Sequence, residues 1–225
     1  MTERATIAIL GGTGDLGSAL ATRWAAAGYR IVLGSRAKEK AEAAAKAMSA
    51  DIPSASVTGD DNLGAARSAD IVVIAVPYAN HDTILNEIKP VVSGKIVVDA
   101  AVPLVPPKVS VVQLPPDGSA AQGAQRLLGE GVRVVSAFHN VAAAKVLAGG
   151  TIDCDVLVCG DDKAARDSVI ELANAAGTRG IDGGALANSV AAEALTSVLI
   201  GINRRYKVAG GAGIRITGIP TTQPQ

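Results

Sequence analysis

Residues 9–24, ILGGTGDLGSALATRW, constrain the fold more than any other stretch of the chain. The apolar run TIAIL (6–10) passes into Gly12, Gly14 and Gly17, spaced GxGxxG, and then into an alanine- and leucine-rich segment. At a strand-to-helix turn, the first glycine makes the turn, the second lets backbone approach a pyrophosphate, and the third packs helix on strand. The N–H groups and dipole of the helix that follows then face negative charge. A dinucleotide-binding βαβ unit is therefore expected at the start of the chain, with the loop from Gly12 to Gly17, Thr13 and Asp15 included, as its phosphate cradle. Leu16, Leu20, Trp24 and Ala27 recur at helical spacing, and Gly28 is suited to end that helix. Trp24 is read as core.

Further along, short β-branched runs alternate with alanine-rich amphipathic segments, the pattern of parallel strands joined by helical crossovers. Strands are expected near 6–10, 30–35, 56–59, 70–76, 95–102, 133–139 and 155–160. Several lack alternation, as strands covered on both faces do. The fold class is α/β, a doubly wound, mainly parallel Rossmann-type sheet. Its 225 residues, 48% of them hydrophobic, suit one domain with an extension. We divide the chain into a dinucleotide-binding domain at 1–140 and a small C-terminal helical extension at 141–225. Proline-rich 102–119 reads as an exposed loop over the cleft. The last helix (186–205) carries Val190, Ala191, Ala194, Leu195, Val198, Leu199 and Ile202 on one stripe, to pack on the sheet or a second subunit.

The end of the second strand selects the nucleotide. An NAD protein usually places an acidic residue about 20 residues after the fingerprint, on the ribose 2′-hydroxyl. Here that place reads Gly34, Ser35, Arg36. A hydroxyl and a guanidinium hydrogen-bond a 2′-phosphate that a carboxylate would repel, and Thr13 and Lys40 are placed to help. The expected cofactor is NADP.

Composition removes other partners. Lysine plus arginine and aspartate plus glutamate both total 21, and aromatics are 2%, which provides neither a basic face nor stacking rings for nucleic acid. The longest unbroken apolar run, IVVIAVPYA (71–79), is shorter than the roughly 18 residues of a membrane span. The N-terminus lacks a signal-peptide pattern, so a cytoplasmic location is expected. Cys154 and Cys159, in CDVLVC, are read as buried thiols on opposite faces of one strand, and no metal site is expected.

Acid–base machinery is sparse. Oxidising an alcohol needs a general base beside the nicotinamide, yet the chain has two histidines and no YxxxK pair. His81, at an expected helix start, suits a solvated or capping role. His139 stands at the carboxyl end of a strand, where ligands of open sheets bind. The doublets Asp60–Asp61 and Asp161–Asp162 read as turns and helix caps. Hydride exchange with a second redox ring fits this inventory, because both partners carry their own chemistry and the protein aligns them.

The segments LGGTGDLG, VLGSR, AVPY, DAAVPL, SAFHN, DVLVCGDD and IDGGALANS, in that order, make the chain resemble the NADP-dependent reductases of coenzyme F420, a 5-deazaflavin. The resemblance implies a Rossmann domain with a short extension, a homodimer, and hydride transfer between NADP(H) and F420 without a catalytic side chain. It places Thr13, Ser35 and Arg36 on the 2′-phosphate and ribose, Leu16 in the phosphate loop, and Val76, Pro77, Val102 and Pro103 beside the nicotinamide. His139, Asn140 and Val141 would face the deazaflavin, with Asn188 and Ser189 closing the same cleft. Asn140 and Val141 stand where the family has threonine and isoleucine. Arg204, Arg205 and Lys207 either meet an anionic cofactor tail or are solvated at a helix end. Two other functions fit the nucleotide half of the site: an NADPH:flavin reductase, and a non-catalytic NADP sensor.

Overall fold

A computed structural model describes residues 4–219. The opening apolar run is β1 (Thr6–Leu10), followed by α1 (Asp15–Ala26), β2 (Arg30–Ser35), α2 (Lys38–Asp51), β3 (Ser56–Asp61), α3 (Asn62–Ser68) and β4 (Ile71–Ile74). Next come α4 (His81–Ile88), β5 (Ile96–Asp99), α5 (Ala120–Leu128), β6 (Arg133–Ser136) and α6 (Ala143–Ala148). The chain closes with β7 (Asp155–Gly160), α7 (Lys163–Ala175), β8 (Arg179–Gly184) and α8 (Ser189–Tyr206). One sheet takes all eight strands in the order β3-β2-β1-β4-β5-β6-β7-β8. The first six run parallel, β7 is antiparallel to β6, and β8 is parallel to β7.

Alternate residues of each strand feed two cores, one on each face of the sheet. Ile7, Ile9, Leu33, Val73 and Val98 pack with Leu20 and Trp24 on one side. Ala8, Leu10, Val72, Ile74 and Val97 meet Ile84, Leu85 and Leu128 on the other. Having no wet face, β4 and β5 read as unbroken apolar runs. Trp24 is fully buried, donates from Nε1 to the Leu172 carbonyl at 2.8 Å, and meets Phe138 edge-on, ring centroids 5.6 Å apart. Gly28, with φ +86°, follows α1 and donates to the Ala25 carbonyl.

Four expectations change. β4, β5 and β6 end two or three residues before their apolar runs do, so the chain leaves the sheet while still apolar and forms the strand-end loops of the site. β8 was not expected, because RGIDGG has no β-branched run; it is paired along β7. Cys154 precedes β7 instead of lying on it; both thiols are free and buried, and burial pushes both pKa values up. The region after residue 140 thus extends the same sheet by two strands as well as adding helices.

The fourth change is α8. Of its apolar stripe Leu199 is buried, but Ala191 and Val198 are exposed and the rest half-buried, while Ser189, Ala192, Glu193 and Ser197 turn inward. The polar side wins because it finds partners at the start of α5, where Glu193 accepts from the Ala120 and Ala121 N–H groups at 2.6 and 3.1 Å and Ser189 shares a 2.7 Å hydroxyl bond with Ser119. Leu186–Tyr206 has the length and mean hydropathy (1.3) to cross a bilayer, but its inward carboxylate is spent on capping a neighbouring helix.

Candidate cofactor site

The sheet order reverses between β1 and β4, and the carboxyl ends of strands at such a switch point form the ligand crevice of open α/β sheets. The left-handed residue of the first turn is Gly11, φ +83°, one position before the fingerprint, where a Cβ would stand 2.5 Å from the Ala75 carbonyl oxygen. Gly12 lies in the same turn, as expected, but its part is close packing on Leu33, and the left-handed conformation falls to Gly11. Gly17 does the expected packing work: its Cβ would lie 2.4 Å from the Gly11 carbonyl oxygen. Gly14 caps α1 without any side-chain bond to the helix N-terminus, so first-turn N–H groups are left to an anion. Asp15 is exposed on that turn and Leu16 half-buried.

From this loop a cleft of about 340 Å³ runs along the ends of β1, β2 and β4. Thr13, Gly14, Ser35, Arg36, Lys40, Val76 and Pro77 all line it. Ser35 Oγ accepts from the Ala37 N–H at 3.3 Å, which leaves its own proton to donate. Arg36 and Lys40 are exposed, and their charged ends have no ion-pair partner among the described residues. Such a donor set fits a 2′-phosphate. Asn62, Asn80 and Thr83 also line the cleft and were missed. Strand adjacency is the signal for Asn62: Ser35 pairs with Asp61, so the residue after β3 stands beside the phosphate end. Asp61 and Asp162 cap α3 and α7 as expected.

Val102 and Pro103 leave β5 outside this cleft, half-buried and buried. Beneath them lies a closed polar cluster. His81, read from sequence as solvated or capping, is 1% exposed, because Asp99 at the end of β5 takes its Nε2 at 2.7 Å. Burial lowers the imidazole's pKa, but the bond and charge of Asp99 outweigh it and the net shift is upward. Nearby, burial raises Glu193 to about 7 against the two N–H bonds it accepts.

His139 follows β6 and is buried, and among the described residues neither ring nitrogen has a partner at full hydrogen-bond distance and angle, the Asp99 main chain being the polar group that weakly favours its charged form. Desolvation pushes its pKa down to about 4, with Asp99 opposing too weakly to reverse it, so it is neutral at physiological pH. The preceding residue, Phe138, has φ 68°, which a bulky side chain adopts only under strain that the surrounding packing must hold. Asn140 spends its amide on α8, donating to the Ala192 carbonyl at 2.9 Å and Thr196 Oγ1 at 3.3 Å. Val141 is buried in the core. Ser189 is buried on Ser119, while exposed Asn188 donates to the Gly183 carbonyl at 2.7 Å. Of this second group, His139 alone has fully buried side-chain nitrogens without a hydrogen bond among the described residues.

A glycine loop at a switch point and exposed cations at the end of β2 fit the NADP site of a Rossmann-type oxidoreductase. The family described as NADP oxidoreductase, coenzyme F420-dependent, matches residues 6–103. The chain is 44% identical over 222 residues to the F420-dependent NADP reductase of Methanocaldococcus jannaschii, covering 95% of this chain and 98% of that one. It is 40% identical to that of Methanothermobacter marburgensis, covering 95% and 99%. A solved structure from Arthrobacter sp. fb24, designated an F420 dependent NADP-reductase, has a TM-score of 0.76 at 26% identity and covers 95% of this chain and 100% of that one. The chain belongs to the F420-dependent NADP reductase family.

Proposed function

We propose that this enzyme transfers hydride between NADP(H) and coenzyme F420 by aligning their rings, with no side chain acting as acid or base. It is an NADP-dependent oxidoreductase with F420 as its second substrate. The two cofactors, when bound, supply the redox chemistry; the chain binds, orients and excludes water. The observation that carries the alignment reading is His139, a neutral imidazole with no partner to pass a proton to. Such a group can hydrogen-bond and orient a ring but is poorly built to shuttle protons.

In this reading Gly12 to Gly17 hold the pyrophosphate and Ser35, Arg36 and Lys40 the 2′-phosphate. Val76, Pro77, Val102 and Pro103 flank the nicotinamide, and His139 with the main chain of Asn140 and Val141 faces the deazaflavin. Asn188 and Ser189 serve by seating α8. Residues 1–140 carry the nucleotide and 141–225 complete the second half of the cleft. A homodimer is supported by the outward apolar side of α8, where Val198 is 45% exposed. A cytoplasmic setting suits the two free thiols.

The test is turnover of NADPH with F420, followed at the deazaflavin absorbance, with FMN and FAD run alongside. Reduction of F420 far faster than either flavin is the expected result. Preference for a flavin would move the function to NADPH:flavin reduction, and NADPH binding without turnover of any acceptor would leave a sensor.

A further inference from the structure

Asp99 ties together three strand-end turns around the site. Its main-chain carbonyl accepts from the Ala137 N–H at 3.1 Å, two residues before His139. One carboxylate oxygen accepts from the Ala101 N–H at 3.0 Å, immediately before Val102 and Pro103. The other accepts from His81 Nε2 at 2.7 Å, at the start of α4. His81 in turn closes the 3-10 turn Tyr78–Asn80 that follows Pro77, with its ring 5.7 Å from that of Tyr78. Both partners of the bridge are buried, His81 at 1% and Asp99 at 0% exposure. Two ionisable groups taken out of water at the ends of adjacent strands are a costly way to join loops that apolar packing could join. What the bridge adds is direction, since a hydrogen bond fixes spacing and angle where packing alone tolerates sliding.

We propose that the His81–Asp99 bridge is a positioning device for hydride transfer, locking the turn after β4 and the turn after β5 at one separation. The proposal rests on the reading that Val76–Pro77 and Val102–Pro103 flank the nicotinamide. Neither residue of the bridge touches the reacting atoms; each acts through the turn it holds. A small displacement of two reacting rings is enough to cost about a hundredfold in rate.

The discriminating pair is His81→Gln and His81→Asn. Glutamine carries an N–H at nearly the reach of imidazole Nε2 and keeps the bridge; asparagine is too short and breaks it, without leaving an apolar group against the Asp99 carboxylate. Asp99→Asn is the second probe, since its amide can accept only one of the two bonds. In cofactor-free protein, amide hydrogen exchange of peptides covering 76–83 and 99–104 should speed up by about tenfold or more in His81→Asn and stay near wild type in His81→Gln. With both cofactors, kcat should fall by about ten- to a hundredfold in His81→Asn and Asp99→Asn, with NADPH affinity unchanged and a larger isotope effect from 4-deuterated NADPH.

A purely structural bridge would lower Tm but leave the rate and isotope effect of the folded enzyme unmoved, which would overturn the proposal. Wild-type exchange in both peptides of His81→Asn would also overturn it. If wild type does not turn over F420 at all, the functional reading falls, yet the exchange result still decides whether the bridge locks the turns. Should His81→Asn fail to fold, Asp99→Asn against wild type gives the same readouts.

Discussion

The cleft and the buried cluster at the ends of β5 and β6 beside it hold charge in opposite ways. At the end of β2, Arg36 and Lys40 stand exposed, with no ion-pair partner among the described residues, a place that suits a ligand of opposite charge. At the ends of β5 and β6 every charge is already taken or suppressed: Asp99 is shared by His81 and the Ala101 N–H, Glu193 caps α5, and His139 is held neutral. In the proposed reading, the open end chooses between nucleotides because its charges are unspent. The closed end cannot recognise charge, but it can hold shape, which is what a reaction between two self-sufficient rings demands.

The sharpest contrast is in how the closed end responds to pH. Glu193 has a folded pKa of about 7 against an ordinary 4.5, so the folded state keeps its proton where the unfolded chain has lost it. That contribution to stability is complete below about pH 4.5 and is lost as pH rises through about 7. Glu193→Gln should therefore gain on wild type by up to about 3 kcal/mol as denaturant unfolding is moved from about pH 4.5 to about pH 8. A difference that stays flat across that range would show that Glu193 ionises as a surface carboxylate does.

The open end should answer to ligand identity instead. Arg36→Ala should weaken NADPH about ten- to a hundredfold, the loss expected for hydrogen bonds to a charged group, and leave NADH almost unchanged. Equal losses for both nucleotides would remove Arg36 from the 2′-phosphate.

These ends also differ in how far the sequence alone reveals them. The open end is local: a glycine spacing, a strand end and the residues just after it are neighbours in the chain, so Thr13, Ser35, Arg36 and Lys40 are legible in the sequence itself. The closed end is built from residues 18, 70 and 73 positions apart, His81 with Asp99, Ser119 with Ser189, and Ala120 with Glu193. Periodicity carries no information about such pairings. For α8 it left the stripe to the sheet or to a second subunit, and it gave no sign that hydrogen bonds to α5 would turn Ser189 and Glu193 inward. The parallel run of β1 to β6 follows from the alternation of elements, whereas glycine-rich β8 owes its place to pairing with β7.

His139 lies between these extremes, a buried polar group with open hydrogen-bonding capacity. Replacement by alanine should lower turnover by about tenfold or less and leave NADPH affinity intact, as loss of an orienting contact does. Its folded pKa, about 4, is below the ordinary 6.5, so the neutral form stabilises fully above about pH 6.5 and that stability drains away as pH falls toward 4. The alanine variant should lose this acid sensitivity. Complete loss of chemistry with NADPH still bound would mean that His139 donates a proton and that alignment alone is insufficient.

The smallest expected effect tests whether freedom, and not charge alone, makes the open end work. Lys38 is two residues from Arg36 and carries the same charge, but its Nζ is 2.9 Å from Asp60, and that bond and charge raise its pKa. Asp60 pairs with Gly34 across β2 and β3, so the ion pair sits beside the phosphate end yet is closed on itself. Its field at a 2′-phosphate is that of a dipole, and solvent and salt screen it further. Lys38→Ala should accordingly shift NADPH affinity by no more than about twofold, and the double replacement of Lys38 and Asp60 by alanine should leave it where it began. Asp60→Asn alone should tighten NADPH slightly, because it releases Lys38 toward the ligand and removes a repelling carboxylate. If Lys38→Ala instead weakens NADPH as much as Arg36→Ala does, the ion pair must open on binding, and the 2′-phosphate would be held by a cluster of cations that the protein keeps partly engaged until the nucleotide arrives.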